Sequence, residues 1–187
     1  KILEKLGRTS FSLTQIRKTV NSIGGNSFEN NSNMMRCINA ICDSCAILSK
    51  ERTGALIVIE RSTRLGDIIA TGTLVDASPS AELIRNIFFK NAPLHDGAAI
   101  IEGDRIVAAK CILPVTQSDV PKSYGTRHRA AIGMSEISDA IIVVVSEETG
   151  DISIAQGGEI RLNIDPVRLQ QTLQRYLTIN TRKRSKK

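Results

Sequence analysis

Two short aliphatic runs limit how this chain can fold. Residues 140–145 read Ala-Ile-Ile-Val-Val-Val, and residues 54–60 read Gly-Ala-Leu-Ile-Val-Ile-Glu. Both are rich in β-branched residues, which favour strands, and both are far shorter than the ~20 apolar residues that a membrane-spanning helix needs. They predict buried strands, and no membrane span is expected. Because the chain has no Trp and only 3% aromatic residues, its core must be aliphatic, which suits an α/β layer protein.

The first 50 residues carry a helical pattern instead. Apolar residues recur at helical spacing in two segments, which a polar run at 30–33 separates. The two stripes are Leu13, Ile16, Val20 and Ile23, and then Met34, Ile38, Ile41, Cys45 and Leu48. A helical hairpin cannot bury both stripes by itself, so we expect it to pack on the main domain or on another subunit. There it is expected to govern assembly and to restrain activity. The predicted organisation is an N-terminal helical hairpin at 1–50, a main domain at 51–180 and a basic tail at 181–187.

The main domain mixes strand and helix patterns. Besides the two aliphatic runs, the patterns predict a hairpin of strands at 98–102 and 105–113 and a further strand at 152–156. Helices are predicted at 64–70, at 80–90 with Ser78 as a cap, at 129–138, and from Asp165 to about Tyr176.

Charge and cysteine content bear on partners and compartment. The net charge is +6, but most of the excess lies at 182–187, so no specific nucleic-acid partner is expected. A basic-tailed nucleic-acid binder is a remote alternative, which predicts DNA binding that depends steeply on salt and on those residues. Buried free thiols are predicted at Cys37, Cys42, Cys45 and Cys111. With no signal peptide visible, a reducing cytoplasm is the expected location.

The chain has only two histidines, and each lies in a short polar string. The first string is Leu94-His95-Asp96-Gly97-Ala98, at the entrance of a predicted strand. A carboxylate and an imidazole suit a divalent metal ion, and Asp96 can also take a proton from a hydroxyl. Gly97 would let a ligand approach the backbone closely. The alternative is an ordinary Asp-Gly turn with an exposed His95.

The second string, Gly125-Thr126-Arg127-His128-Arg129, lies at the predicted start of a helix. Helix N-termini attract anions, and arginine offers paired donors that match phosphate oxygens. Three potential cations at a helix start suggest that a bound anion compensates them. The string therefore predicts a phosphate site, with a solvated basic turn as the alternative.

A third string, Ser146-Glu147-Glu148-Thr149-Gly150, follows the run at 140–145. Ligands of open α/β sheets gather at the carboxyl ends of strands, so a second carboxylate there would complete a metal site with Asp96. An ordinary acidic hairpin turn is the alternative. The sequence contains no Gly-x-x-x-x-Gly-Lys-Ser/Thr loop, no Gly-x-Gly-x-x-Gly after a strand and no Gly-x-Ser-x-Gly elbow. P-loop ATPases and dinucleotide dehydrogenases are therefore disfavoured.

Taken together, these strings resemble a known family. Asp96-Gly97-Ala98 and Arg127-His128-Arg129 are similar to the paired DGA and RHR motifs of the diadenylate cyclase domain. Further segments match in family order over about residues 53–158: Thr53-Gly54-Ala55-Leu56-Ile57, Thr71-Gly72, Leu74-Val75-Asp76-Ala77, Pro93-Leu94-His95 and the string 146–150. The resemblance implies a mixed β-sheet flanked by helices. A helical hairpin before that domain is similar to the soluble, spore-associated bacillus type of the family.

The resemblance also implies an activity. Two subunits face each other with one ATP each, and two 3′-hydroxyl attacks on α-phosphates give cyclic di-AMP and two pyrophosphates. The implied catalytic residues are Asp96, Arg127, His128 and Arg129, and the implied ligands of Mn²⁺ or Mg²⁺ are Asp96, His95 and Glu148. The implied ATP-binding residues are Gly72, Leu74, Asp76, Leu94, Gly97, Ala98, Thr126, Arg127, Arg129 and Ser146. A homo-oligomer is expected, as a face-to-face dimer or larger. The alternative is a nucleotide-binding module of the same fold without turnover.

Overall fold

Seven strands of the chain form one mixed β-sheet. The computed structural model describes the backbone of residues 26–184 and the side chains of residues 31–177. The strands are β1 (Ala55–Ile59), β2 (Thr73–Ala77), β3 (Ala98–Glu102), β4 (Arg105–Cys111), β5 (Ile141–Val145), β6 (Ile152–Gln156) and β7 (Glu159–Arg161). Their order in the sheet is β2-β4-β3-β1-β5-β6-β7. Strands β1 and β3 run parallel, and the other neighbouring pairs are antiparallel.

Strands β1 and β5 lie at the centre of the sheet. Every residue of both strands is buried, and Ile57 lies opposite Val143 in the antiparallel pair. Strands that are covered on both faces need a continuous apolar sequence rather than an alternating one, and the two aliphatic runs provide it. The prediction of buried strands is confirmed.

Helices cover both faces of the sheet. They are α1 (Asn26–Glu51), α2 (Gly66–Ile69), α3 (Ala81–Phe88), α4 (Thr126–Ile137) and α5 (Pro166–Arg184). One hydrophobic cluster joins Ile57 and Val143 to buried residues of α1, α3 and α5. A second cluster joins Leu56 and Val144, on the opposite face, to buried residues of α4. The predicted fold class, a mixed sheet flanked by helices, is confirmed.

Helix α1 differs from the predicted hairpin. It runs without interruption through the polar residues 30–33, where a break was expected. Asn31 and Ser32 are exposed, and the weak helix preference of such residues is easily overridden when the rest of the helix packs well. That packing is extensive, since Ile38, Ile41 and Leu48 are almost fully buried. The predicted first helix of the hairpin lies outside the described residues.

The chain divides into two compact units, Lys1–Asn33 and Met34–Lys187. The buried stripe of α1 therefore belongs to the same unit as the sheet. Most of the first unit lies outside the described residues. The assembly role of the N-terminal segment stays a prediction.

Further differences concern three helix ends and two short strands. Helix α3 is capped by Ser80, whose hydroxyl accepts the amide of Leu83 at 3.1 Å, and not by Ser78. Helix α4 begins at Thr126, three residues before the predicted start at 129, and α5 continues to Arg184. Strands β2 and β7 were not predicted, because short strands with few buried residues lack a strong pattern.

The described residues include no helix that is long and apolar enough to cross a membrane. The four cysteines are free and buried, as predicted. Burial raises the pKa of Cys37, Cys42 and Cys45 to about 12, and that of Cys111 to about 11. Such thiols are protonated and unreactive at neutral pH.

Candidate active site

The first and third polar strings lie at the same end of the sheet. Because β1 and β3 are parallel, Gly54 and Asp96, which precede them, lie at the same end. Strand β5 runs the opposite way, with Val145 opposite Ala55, so Ser146 follows at that end too. Neighbouring strands are ~4.8 Å apart, so the starts of β1 and β3 and the end of β5 span a backbone distance of about 10 Å.

Gly97 is required by the sheet itself. Its φ is +134°, and a Cβ atom there would lie 2.7 Å from the carbonyl carbon of Lys110 and 2.9 Å from the carbonyl oxygen of Cys111. Lys110 also has a positive φ of 59°, and the register of β3 against β4 shifts after Ala98. Gly97 therefore allows the close approach of β4, and its expected contact with a ligand stays a prediction. A non-glycine residue would disturb the strand entrance that carries Asp96.

His95 is held in one orientation beside the exposed Asp96. Its Nδ1 lies 2.6 Å from the carbonyl oxygen of Ala92, and since a carbonyl can only accept, Nδ1 carries the proton. The lone pair is then on Nε2, which is the usual arrangement for a metal-binding histidine. An imidazole and a neighbouring carboxylate fit a divalent cation such as Mn²⁺. These two side chains are suitable ligands.

The described part of the chain does not gather three His, Cys, Asp or Glu side chains into one metal-binding group. Within one subunit, Asp96, His95 and Glu148 therefore do not form a complete set of ligands. The assignment of these three residues to a metal stays a prediction.

The start of α4 presents backbone donors and an arginine. Gly125 precedes the helix, no side chain caps it, and its first turn contains no acidic residue. Arg127 is held by Glu147, with Nη1 2.7 Å from Oε1. A Cβ atom on Gly54 would lie 2.8 Å from the guanidinium carbon and 2.7 Å from the other Glu147 oxygen. This ion pair joins the second string to the third and lies over the backbone of Gly54, the residue before β1.

His128 does not add a third cation. Burial lowers the pKa of its imidazole below the ordinary 6.5, although the nearby Glu147, Asp151 and Glu148 act in the opposite direction. Its ring lies 5.6 Å from that of Tyr124, centroid to centroid. His128 is therefore neutral at pH 7, so of the three potential cations only the two arginines are charged, and Arg127 is already paired with Glu147.

The acidic string forms a tight turn after β5. The hydroxyl oxygen of Ser146 accepts the amides of Glu148 and Thr149 at 3.3 Å, and Gly150 donates its amide to the Ser146 carbonyl at 2.9 Å. Ser146 is buried, whereas Glu147 and Glu148 are exposed. Because the Ser146 oxygen only accepts in these contacts, its hydroxyl proton remains available for a phosphate oxygen.

The residues expected to border adenosine lie on and before β2. Leu74 is 76% exposed, which leaves an apolar surface open to a base. Gly72 lies tightly against β4, where a Cβ atom would be 2.4 Å from the Cys111 sulfur. Asp76 has a φ of 45° and accepts from Arg105 Nε at 2.7 Å. Leu94, a further expected ATP-binding residue, precedes β3 and packs against the first core cluster.

Two cavities lie away from these residues. One of about 480 Å³ lies among residues of β6, β7 and α5. Another of about 340 Å³ lies between the end of α1 and α3 and is lined by Thr53 but by none of the predicted site residues. Neither cavity combines backbone donors, carboxylates and an imidazole as the motif residues do. At the candidate site, Asp96, Thr126 and Glu147 are exposed.

Comparison with known proteins identifies the family. The model of the family described as DisA bacterial checkpoint controller nucleotide-binding matches residues 42–160. The chain belongs to the diadenylate cyclase family. Cyclic di-AMP synthase CdaA of Bacillus subtilis is 39% identical over 175 residues, which cover 90% of this chain and 64% of the relative. A diadenylate cyclase of Listeria monocytogenes is 45% identical over 148 residues, covering 79% of this chain and 54% of the relative.

Members of this diadenylate cyclase family with solved structures share the fold. The crystal structure of a double mutant of DacA from Staphylococcus aureus matches with a TM-score of 0.73 and 46% identity, covering 74% of this chain and 93% of that one. Cyclic di-AMP synthase CdaS of Bacillus subtilis is 47% identical over 119 residues, which cover 64% of this chain and 58% of the relative. The chain spans between about half and two thirds of the length of these curated relatives. The predicted family is confirmed.

Sequence reasoning missed two residues that the structure brings into contact at the candidate site. Glu147 pairs with Arg127, and Gly54 lies beneath that pair. Both occur inside strings that were recognised, but the sequence does not reveal that they share a contact. The roles of the other candidate residues stay predictions.

Proposed function

We propose that this chain is a diadenylate cyclase that joins two ATP molecules into cyclic di-AMP. The observation that carries the proposal is the convergence of the three strings at one end of the sheet, where α4 begins. Uncapped backbone donors and arginines suit phosphates, while the carboxylate of Asp96 and the imidazole of His95 precede β3, which lies two strands from β5. The relatives named as cyclic di-AMP synthases and diadenylate cyclases support the same activity.

The proposed reaction consists of two equivalent displacements. The 3′-oxygen of each ATP forms a bond to the α-phosphorus of the other, the bond from that phosphorus to the bridging oxygen breaks, and pyrophosphate leaves with the electron pair. Each hydroxyl loses its proton, for which Asp96 is the proposed acceptor. Thr126, Arg127, Arg129 and Ser146 bind the phosphates. Catalysis then rests on positioning and on charge neutralisation.

A divalent cation is part of the proposal. Asp96, His95 and Glu148 are the proposed ligands, and Mn²⁺ or Mg²⁺ would lower the pKa of the attacking hydroxyl and offset phosphate charge. Because Nδ1 of His95 donates to the Ala92 carbonyl, Nε2 is the ring nitrogen that would bind the cation. Because one subunit does not gather all three side chains, the set would be completed when two sites face each other around their nucleotides.

The proposed assembly follows from the chemistry. Each product molecule needs two ATP molecules oriented head to tail, and the open surface at the start of α4 leaves room for a second subunit. We therefore propose a face-to-face homodimer as the catalytic unit, within a dimer or a larger oligomer. We further propose a reducing cytoplasm as the location, which suits the four free thiols. An association with spores is a separate proposal.

The decisive experiment is product identification. The protein is incubated with ATP and either Mn²⁺ or Mg²⁺, and the products are identified by mass. We expect cyclic di-AMP and pyrophosphate, and no product after addition of a chelator. If ATP binds with either metal but no cyclic dinucleotide forms, the chain is a nucleotide-binding module of the same fold, and the proposed activity is wrong.

A further inference from the structure

Arg127 is confined on two sides by other residues of the chain. Its guanidinium donates to Glu147 at 2.7 Å, and only 21% of the arginine side chain is exposed. Below it, the backbone of Gly54 approaches so closely that a single added carbon would lie 2.8 Å from both Cζ and Nη1. An unrestrained arginine samples many rotamers, so this confinement is a property of the site and not of the residue.

We infer that Glu147 and Gly54 are positioning residues, which together hold the Arg127 guanidinium in the orientation that binds the phosphates of ATP. This inference rests on the proposed function, in which Arg127 contacts those phosphates. Glu147 occupies one end of the guanidinium, and the remaining N–H donors stay available for phosphate oxygens. The ordering of a long side chain then precedes nucleotide binding and no longer opposes it.

Glu147 is suited to this role because its own backbone is fixed. It follows the buried Ser146, whose hydroxyl oxygen accepts the backbone amides of Glu148 and Thr149. The turn is closed by the hydrogen bond from the Gly150 amide to the Ser146 carbonyl. A carboxylate on a rigid turn provides a fixed reference point for a flexible cation. Glu148 lies on the same turn, and no ion pair of its own with an arginine was found among the described residues.

Gly54 is suited to this role because of space and not because of backbone conformation. Its φ is not positive, so an alanine would be tolerated by the backbone. The Cβ atom of an alanine would lie 2.7 Å from a carboxylate oxygen of Glu147 and 2.8 Å from the guanidinium of Arg127. The added methyl group would therefore displace the guanidinium while leaving the strand intact.

An opposite role for Glu147 makes an opposite prediction. A carboxylate near the triphosphate repels it and competes for Arg127. A glutamate that kept Arg127 away from the phosphates would therefore weaken ATP binding. Its removal would then tighten ATP binding. A positioning carboxylate predicts weaker binding after removal, although a negative charge has been lost. The sign of the change distinguishes the two roles.

The test compares Glu147→Ala and Gly54→Ala with the unmodified protein by titration with ATP and with adenosine. We expect each variant to bind ATP about three- to tenfold more weakly, with adenosine affinity changed less than about twofold. In a turnover assay, KM for ATP should rise more than kcat falls. Glu159→Ala and Gly66→Ala are matched controls, because Glu159 is exposed on β7 and nothing lies within 4 Å of a Cβ atom on Gly66. Thermal unfolding establishes that each variant is folded.

The Arg127→Ala background shows whether both residues act through that arginine. There, Glu147→Ala and Gly54→Ala should weaken ATP binding by less than about a further twofold. Equal losses in both backgrounds, unchanged ATP affinity, or tighter binding by Glu147→Ala would overturn the inference. If Gly54→Ala does not fold, Glu147→Ala decides alone. The binding readout does not need turnover, so a failure to make cyclic di-AMP contradicts the proposed function without touching this inference.

Discussion

Asp96 is an exposed carboxylate at the entrance of β3, and the proposed chemistry depends on its charge. Asp96→Asn keeps the size of the side chain but removes the charge, so we expect turnover to fall by a factor of about 100–1000, or ~2.7–4 kcal/mol of barrier, while ATP still binds. Product formation and calorimetric titration with ATP measure the two effects. Asp43→Asn, on the exposed side of α1, is the control. Near-normal turnover by the Asp96 variant would remove this residue from the mechanism.

The neutral His128 makes stability depend on pH. Burial lowers its pKa in the folded protein below 6.5, so the unfolded chain binds this proton more readily. The free energy of unfolding should therefore fall as the pH decreases from 6.5 through the lowered pKa, and this group should have no effect above 6.5. Melting temperatures between about pH 5 and pH 7.5 test this sign. His128→Gln should lose less stability on acidification, and an identical acid dependence would contradict the assignment.

Helix α1 is an element of the core. Ile41 is fully buried in it and belongs to the cluster that includes the central strands. Ile41→Ala should lower the free energy of unfolding by about 2–5 kcal/mol, because it removes buried methylene groups and leaves a cavity. Denaturant unfolding measures the change. Asp43→Ala, on the exposed side of the same helix, should stay within about 0.5 kcal/mol, and a similar small loss for Ile41→Ala would mean that α1 is not packed on the sheet.

The cysteines of α1 should react slowly in the folded protein. Cys37, Cys42 and Cys45 lie on its buried side, and their pKa values of about 12 leave almost no thiolate at pH 8. We expect the folded protein to react with an aromatic disulfide reagent far more slowly than the denatured protein does, and all four cysteines to react after denaturation. Rapid reaction of the folded protein at α1 would show that this helix opens frequently.

At the scale of the whole molecule, the reaction rate depends on how subunits are arranged. A segment that stabilises an arrangement with the sites apart would restrain turnover, and residues 1–25 contain the predicted stripe from Leu13 to Ile23. Removal of residues 1–25 should change the oligomer size and raise turnover per subunit. The deletion ends before α1, because the buried stripe of α1 is required for the core.

Light scattering and a product assay on matched samples test the deletion. A control variant with Leu13, Ile16, Val20 and Ile23 replaced by serine keeps the chain length and should reproduce both effects. A truncated protein that is folded, with unchanged mass and unchanged or lower turnover, would show that the segment has no restraining role.

Much of the fold was predictable because its signals are local. An unbroken run of β-branched residues at 141–145 has few stable alternatives to a buried strand, and the structure has one there. Helix ends were less predictable, because α4 begins with Thr126 and Arg127, which carry no strong cap signal. The polar residues 30–33 were misinterpreted for a related reason. Their weak local preference was outweighed by the burial of Ile38 and Ile41 further along the helix.

The amino-acid sequence by itself determined the central strands, the family and the three strings that carry the candidate site, since each depends on residue types at short spacing. Only the tertiary structure decided what those residues contact. It placed Glu147 on Arg127 and Gly54 beneath both, packed Gly97 closely against β4, and kept His128 neutral by burial. These outcomes depend on contacts between residues far apart in the chain, and a local pattern carries no information about such distances or about the exclusion of water.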